Sequence, residues 1–318
     1  MHNLEFVNGK ATMAWSGEVP WHGLGAEVGP DLSAHEMMVA AGVDWTVDEV
    51  ETFAIVGDQK IPTGMKALLR TSDNKVLTQV GQNWHPVQNA EAFEFFKEFV
   101  DVGHMEMNTA GSLNGGRMVW ALAKIKDNFF DVFGGDRTEA FLLFSNPHEY
   151  GKTIDIRMTA TRVVCQNTIS IALNGGSKNF VKINHRKAFD AEAVKETMGI
   201  ASTKMDRYKQ MAEFLGSKRT TKETLEEYFG ELFGKSKSSK KEGRLTRTGE
   251  TAMELISTQP GHEFAEGSWW QAFNTVSFMT NHVLGRSNDT RMQSVWYGQN
   301  QNLNTKALEM ALEMAEKA

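Results

Sequence analysis

The apolar pattern of this chain changes period part-way along, and that change constrains the fold more than any single motif. Between residues 45 and 160 short apolar runs alternate or sit between turn signals. Trp45–Phe53 alternates, with Trp45, Val47 and Val50 as inward candidates. Ala67–Arg70 and Val76–Val80 flank Thr71-Ser-Asp-Asn-Lys75, which spells strand, turn and strand. Met105–Gly111, Arg117–Ile125, Glu139–Asn146 and Asp155–Ala160 add further strands, with Asn114-Gly115-Gly116 and Gly134-Gly135 as turns. Two helices interrupt this run. One is Ser33–Ala41, with Ser33 as N-cap and Glu36 three residues on; the other is Ala90–Val100, with Asn89 as its cap. Thr161–Leu173 fits either a helix or a continued strand; the helix, closed by Asn174-Gly175-Gly176, is the favoured reading.

Beyond residue 187 helical spacing takes over. Phe189, Val194, Met198, Met205, Met211, Phe214 and Leu215 mark one stretch to residue 233, and helices resume at Thr248–Ser257, Trp269–Asn281 and Thr305–Glu316. The expected fold class is therefore α+β: a mixed or antiparallel sheet with packed helices, followed by a helical C-terminal region. The segments in order are a Gly/Trp-rich arm (1–30), an α+β core (31–186), a helical extension (187–234), a basic linker (235–247) and C-terminal helices (248–318).

Composition narrows the function classes. A net charge of −6 offers no global basic field for a sequence-blind coat on DNA, although a locally basic groove responds to its own lining. One cysteine, Cys165, excludes an internal disulfide framework and a cysteine-rich zinc site. No run reaches the ~20 apolar residues of a membrane span, and the first residues are not read as a signal peptide. A reducing, cytoplasmic setting is expected. Neither a P-loop nor a dinucleotide fingerprint is present, and the nine histidines form no His-Glu-x-x-His helix. No cofactor, metal or catalytic residue is assigned, and the balance falls against an enzyme.

The side chains that stand out are suited to anions. Arg157 through Leu173 gathers Arg157, Arg162, Gln166, Asn167, Thr168 and Ser170 among apolar anchors. Guanidinium forks bind phosphate or carboxylate bidentately, so Arg157 and Arg162 read equally as anion contacts and as internal ion pairs. Asn167 can read base edges or satisfy a polar seam. Lys178, Lys182, Arg186 and Lys187 are interleaved with Phe180, a strip able to follow phosphates while the ring stacks on a base, or to protect an exposed strand edge. Trp21 and Trp84, in Gly- and Pro-rich surroundings, are further stacking candidates, with packing of the arm as the other reading.

Four linked stretches resemble the phage- and plasmid-like family that carries domain of unknown function 932. They are Trp21-His22-Gly23-Leu24-Gly25, Val80-Gly-Gln-Asn-Trp84-His-Pro-Val-Gln-Asn89, Arg162-Val-Val-Cys165-Gln-Asn-Thr168, and Trp270…Asn274…Asn281-His282. Trp84 stands where relatives often carry Tyr. The element order also resembles Rad52-like phage single-strand annealing proteins. These resemblances imply a phage or plasmid protein that binds single-stranded nucleic acid, DNA before RNA, acting in annealing during recombination or replication as a homo-oligomer. Two other classes stay open: a structural or host-interaction protein, and a hydrolase whose active site assembles from dispersed residues.

Overall fold

The computed structural model describes residues 4–17, 20, 23–101, 103–162, 167–170, 180–183, 205–236, 243–285 and 288–317. These form two units. The first contains residues 1–127, 141–158 and 177–199; the second contains 128–140, 159–176 and 200–318. The segment 31–186 thus contributes to both. Among the described residues the architecture is α+β, with three sheets and a helical C-terminal region.

The larger sheet has the strand order β12-β11-β10-β9-β8-β3-β4, with β13 also on β11. Its strands are β3 (Met13–Ser16), β4 (Ala26–Val28), β8 (Met105–Leu113), β9 (Met118–Val132), β10 (Asp136–Pro147), β11 (Ile154–Arg162), β12 (Asn167–Ser170) and β13 (Phe180–Ile183). A three-stranded sheet, β5-β6-β7, comprises Val47–Val56, Gln59–Arg70 and Lys75–Gly81. The expected inward position of Val50 is corrected: the residue is 43% exposed. The short pair β1 (Phe6–Val7) and β2 (Lys10–Ala11) completes the set. The N-terminal arm is therefore partly sheet: Met13–Trp15 pairs antiparallel with Thr109–Gly111, and Trp15 is buried.

In the first unit, helix α1 (Ala34–Ala40) begins at the expected cap. Ser33 Oγ accepts from the Glu36 backbone N–H, and Glu36 accepts from the Ser33 N–H. Helix α2 (Asn89–Asp101) packs with α1 on β8. Ala92, Phe93 and Phe96 are buried as their spacing requires, with Phe95 beside them. Asn89 does not cap α2 with its side chain. Its Nδ2 donates to the Val43 and Trp45 carbonyls at 2.9 and 3.3 Å, because those carbonyls are buried and need a donor. Neighbouring amides extend this latch. Gln88 exchanges two 2.9 Å bonds with the Val47 backbone, and Asn146 Nδ2 donates to Val87 O at 2.8 Å. His148 Nε2 meets Asn89 Oδ1 at 2.9 Å.

The expected helix over Thr161–Leu173 is corrected. Thr159–Arg162 pairs antiparallel with Asn167–Ser170, in the register Thr159↔Ser170 to Arg162↔Asn167. The β-branched Thr159, Thr161, Thr168 and Ile169 lose rotamers in a helix and fit a pleated surface, and a strand partner decides the matter. In the second unit the helices are α3 (205–217), α4 (Lys222–Phe233), α5 (Arg247–Leu255), α6 (Trp269–Phe278), α7 (Asn288–Tyr297) and α8 (Gln299–Glu316). α6, α7 and α8 pack on β12. α6 is buried through nine consecutive residues, and several of its polar side chains bond internally. Gln259 Nε2 donates to Thr275 Oγ1 at 2.9 Å, and Gln271 Nε2 to Ile256 O at 2.9 Å.

Candidate functional site

The site most suited to a ligand lies in the second unit, on the distal β9–β10 hairpin and the end of α3. Strand alternation builds it. Phe130 and Val132 are buried, while Phe129 between them is 43% exposed. The inward ring of Phe130 stands 5.8 Å from Tyr208, and Tyr208 stands 5.9 Å from Trp270, both edge-on. Trp270 Nε1 donates to buried Asp136 Oδ2 at 2.8 Å. These contacts fix the hairpin against α3 and α6 and leave its outer face to solvent.

On that outer face the Arg137 guanidinium lies 3.7 Å from the centroid of the Phe129 ring, a cation–π pair across the two strands. Arg137 Nε also donates to Glu139 Oε1 at 3.1 Å. At the hairpin turn Phe133 has φ 49°, followed by Gly134 at 82° and Gly135 at 124°. The Phe133 ring rests on Gly216 of α3, where an added Cβ would fall 1.9 Å from Phe133 Cζ. Just past the end of α3, Lys218 Nζ lies 5.8 Å from the Phe214 ring. Arg219 Nη1 donates to the Glu266 carbonyl at 2.5 Å and makes no ion pair among the described residues. Phe133, Gly216, Arg219, Phe264, Ala265 and Glu266 line an open cleft of about 520 Å³. The outer face of the hairpin thus carries Phe129 with Arg137, and the cleft at the end of α3 carries Phe133 and Phe264 with Arg219 and Glu266.

The residues expected from sequence are distributed differently. Arg157 is buried, and its Nε and Nη2 donate to Asp155 Oδ1 and Oδ2 at 2.5 and 2.7 Å. The internal ion pair wins over a phosphate contact because a fork so engaged has its charge balanced. Trp84 is only 6% exposed and belongs to the core of the first unit, so it offers no stacking face; its bulk is packing. The backbones of Arg162 and Asn167 pair with each other, and Phe180 and Lys182 lie opposite Arg157 and Asp155 on β13. The side chains of these four lie outside the described residues, as do Trp21, Lys178, Arg186 and Lys187 entirely.

A second polar constellation belongs to the first unit and is internally balanced. Arg70 Nη1 donates to both Glu5 oxygens at 2.7 Å, and its Nε reaches Asp73 Oδ1 at 2.8 Å. Ser112 Oγ donates to Glu5 Oε2 at 3.0 Å. The Asp73 bond raises the Arg70 guanidinium above its ordinary range, and the same bond lowers the Asp73 carboxyl. Nearby, Glu49 bonds to Lys66 and to His85 Nδ1. Burial pushes the Glu49 carboxyl up, but the bonds from Lys66 and His85 outweigh it and hold the carboxyl below its usual value. Among the described residues no three His, Cys, Asp or Glu side chains gather in a metal-binding group. No described helix is long and apolar enough to cross a membrane.

The family profile described as Domain of unknown function (DUF932) matches residues 76–308, most of the chain. The chain belongs to this family. The DUF932 match spans β7 to α8 and includes the whole hairpin–cleft surface. No match was found among curated proteins or among solved structures. Within the DUF932 region, the amides of Gln88 and Asn89 and the indole of Trp270 serve the scaffold, as their buried bonds show.

The sequence reading missed Phe129, Phe133, Arg137, Phe214, Lys218, Arg219 and Phe264. Phe129-Phe130-Asp131-Val132-Phe133 carries a period-two signal, but it falls in the gap between the strands expected at Arg117–Ile125 and Glu139–Asn146. Bringing the rings beside Lys218 and Arg219 takes tertiary contact, which no local pattern encodes.

Proposed function

We propose that this DUF932 protein binds single-stranded nucleic acid, with DNA as the first ligand and RNA as the second. The observation that carries the reading is the exposed Phe129 ring capped by Arg137, on the same unit as a cleft lined by Phe133, Phe264 and Arg219. Unpaired bases present π faces that stack on aromatic rings, and cations track the phosphates between them. A duplex hides those faces, so the surface favours single strands. The basic strip Lys178–Lys187, carried in part by β13, adds a second place for phosphate. Annealing in recombination or replication, in the cytoplasm of a host carrying a phage or plasmid, suits such a surface because it needs strands held open and no covalent catalyst.

Fluorescence anisotropy with labelled single-stranded DNA, single-stranded RNA and duplex DNA tests this. Single strands are expected to bind more tightly than duplex, and Arg219→Glu to weaken them with the melting temperature unchanged. Equal affinity for duplex, or no binding at low salt, contradicts the reading. Faster pairing of complementary oligonucleotides in the protein's presence is the expected readout of annealing, and an unchanged pairing rate rejects that part.

A further inference from the structure

The hairpin β5–β6 projects beyond the residues that anchor it. At its base Val47, Leu68 and Arg70 are buried. From Val50 to Gly64 every residue is exposed apart from half-buried Thr52. The register puts Phe53 and Ile55 on one face and Val56 and Ile61 on the other. Their exposures are 46% and 73% on the first face, 62% and 46% on the second. A strand washed by water on one side alternates apolar with polar, whereas apolar residues on both faces belong to a strand covered on both. A two-stranded ribbon is also marginal by itself. The tip is therefore built to be enclosed.

The same unit holds an enclosure. A cleft of about 1000 Å³ is lined by Phe6, Val7, Leu24, Ala40 and Trp45, with Arg70 at the base of the hairpin. Phe6 and Val7 are 46% and 44% exposed. Lys10 and Asp44 stand exposed in this cleft, and Asp58 and Lys60 stand exposed at the hairpin tip. None of these four makes an ion pair among the described residues, so each site offers one charge of each sign to the other. The hairpin cannot fill its own cleft: the strand rise carries the tip roughly 30 Å from the base that borders the cleft.

We infer that the β5–β6 tip of one copy seats in the Phe6–Val7 cleft of a second copy, with Asp58 facing Lys10 and Lys60 facing Asp44. Tip and cleft are different surfaces, so the contact is head-to-tail and propagates into a ring or filament. The inference stands apart from nucleic-acid binding and is tested without it. Sedimentation velocity of the full chain at micromolar concentration is expected to show species larger than monomer. Ile55→Asp and Val7→Asp each change an exposed residue, so each is expected to keep its fold by thermal melting and to sediment as monomer. Mixed together, they leave one intact tip and one intact cleft, and a dimer that grows no further is expected. Lys60→Glu is expected to weaken assembly, and adding Asp44→Lys to the same chain to restore it. A monomeric wild-type protein, a tip variant that still assembles, or a mixture that stays monomeric overturns the inference. Loss of assembly in the tip variant alone, with Val7→Asp unaffected, overturns the cleft as the receptor.

Discussion

Phe133 holds a left-handed backbone, at φ 49°, that a bulky residue adopts only where its surroundings enforce it. Gly216 makes room for the ring in that conformation, since any side chain there meets it. Gly216→Ala is expected to destabilise the protein by about 1–3 kcal/mol through overpacking, and Phe133→Ala in the same chain to cancel part of that loss. Denaturant titration of the two single variants and the double variant reads the coupling; additive effects refute the contact. The two aromatic roles also separate by substitution. Phe129→Ala removes an exposed ring and is expected to cost about 1–3 kcal/mol of single-strand binding with little change in melting temperature. Trp84→Ala empties a core position and is expected to cost about 3–5 kcal/mol of stability. Binding titrations and melts of both variants check the contrast, and a binding-neutral Phe129→Ala argues against stacking there. Ser33 with Glu36 was legible in sequence because a capping box is local. The Asp155–Arg157 pair was legible too, because the two stand two residues apart on one strand; the burial of Trp84 was not, because it lies in the loop after β7, where tertiary contact decides what is covered.

At the scale of elements, the hairpin of Ala67–Arg70 and Val76–Val80 was readable because its turn residues lie between its strands. β12 was not, because a strand is decided by its partner, and Thr159–Arg162 supplies that partner from outside the Asn167–Ser170 run. The three-stranded sheet carries a pH dependence. Glu49 and Asp73 have carboxyls lowered in the folded state, so the unfolded chain takes up protons first as pH falls. Their contribution is whole above about pH 4.5, the ordinary value for Glu49, and drains as pH drops through the lowered folded values. Melting temperature is expected to decline below that point in wild type and less steeply in Glu49→Gln. Parallel acid profiles for the two proteins count against the Glu49 bonds as the source.

For the whole molecule, the α+β order with a helical C-terminal region followed from the change of apolar period, but the division into two units did not. Each unit gathers separate stretches of chain, and β9, β10 and β11 contribute to both. Linear segmentation cannot see strands that serve two bodies. The net charge of −6 bears on binding at this scale too: attraction for a polyanion comes from local cations, not from a global field. With Arg137, Lys218 and Arg219 as the phosphate contacts of the hairpin surface, the logarithm of affinity for single strands is expected to fall with the logarithm of salt at a slope of about −2. The most direct measurement is that salt titration by anisotropy on single-stranded DNA, with duplex DNA alongside. The account predicts single-strand preference at every salt and a slope that flattens by roughly one-third in Arg219→Ala. Binding that ignores salt, or a duplex that competes equally, would contradict it.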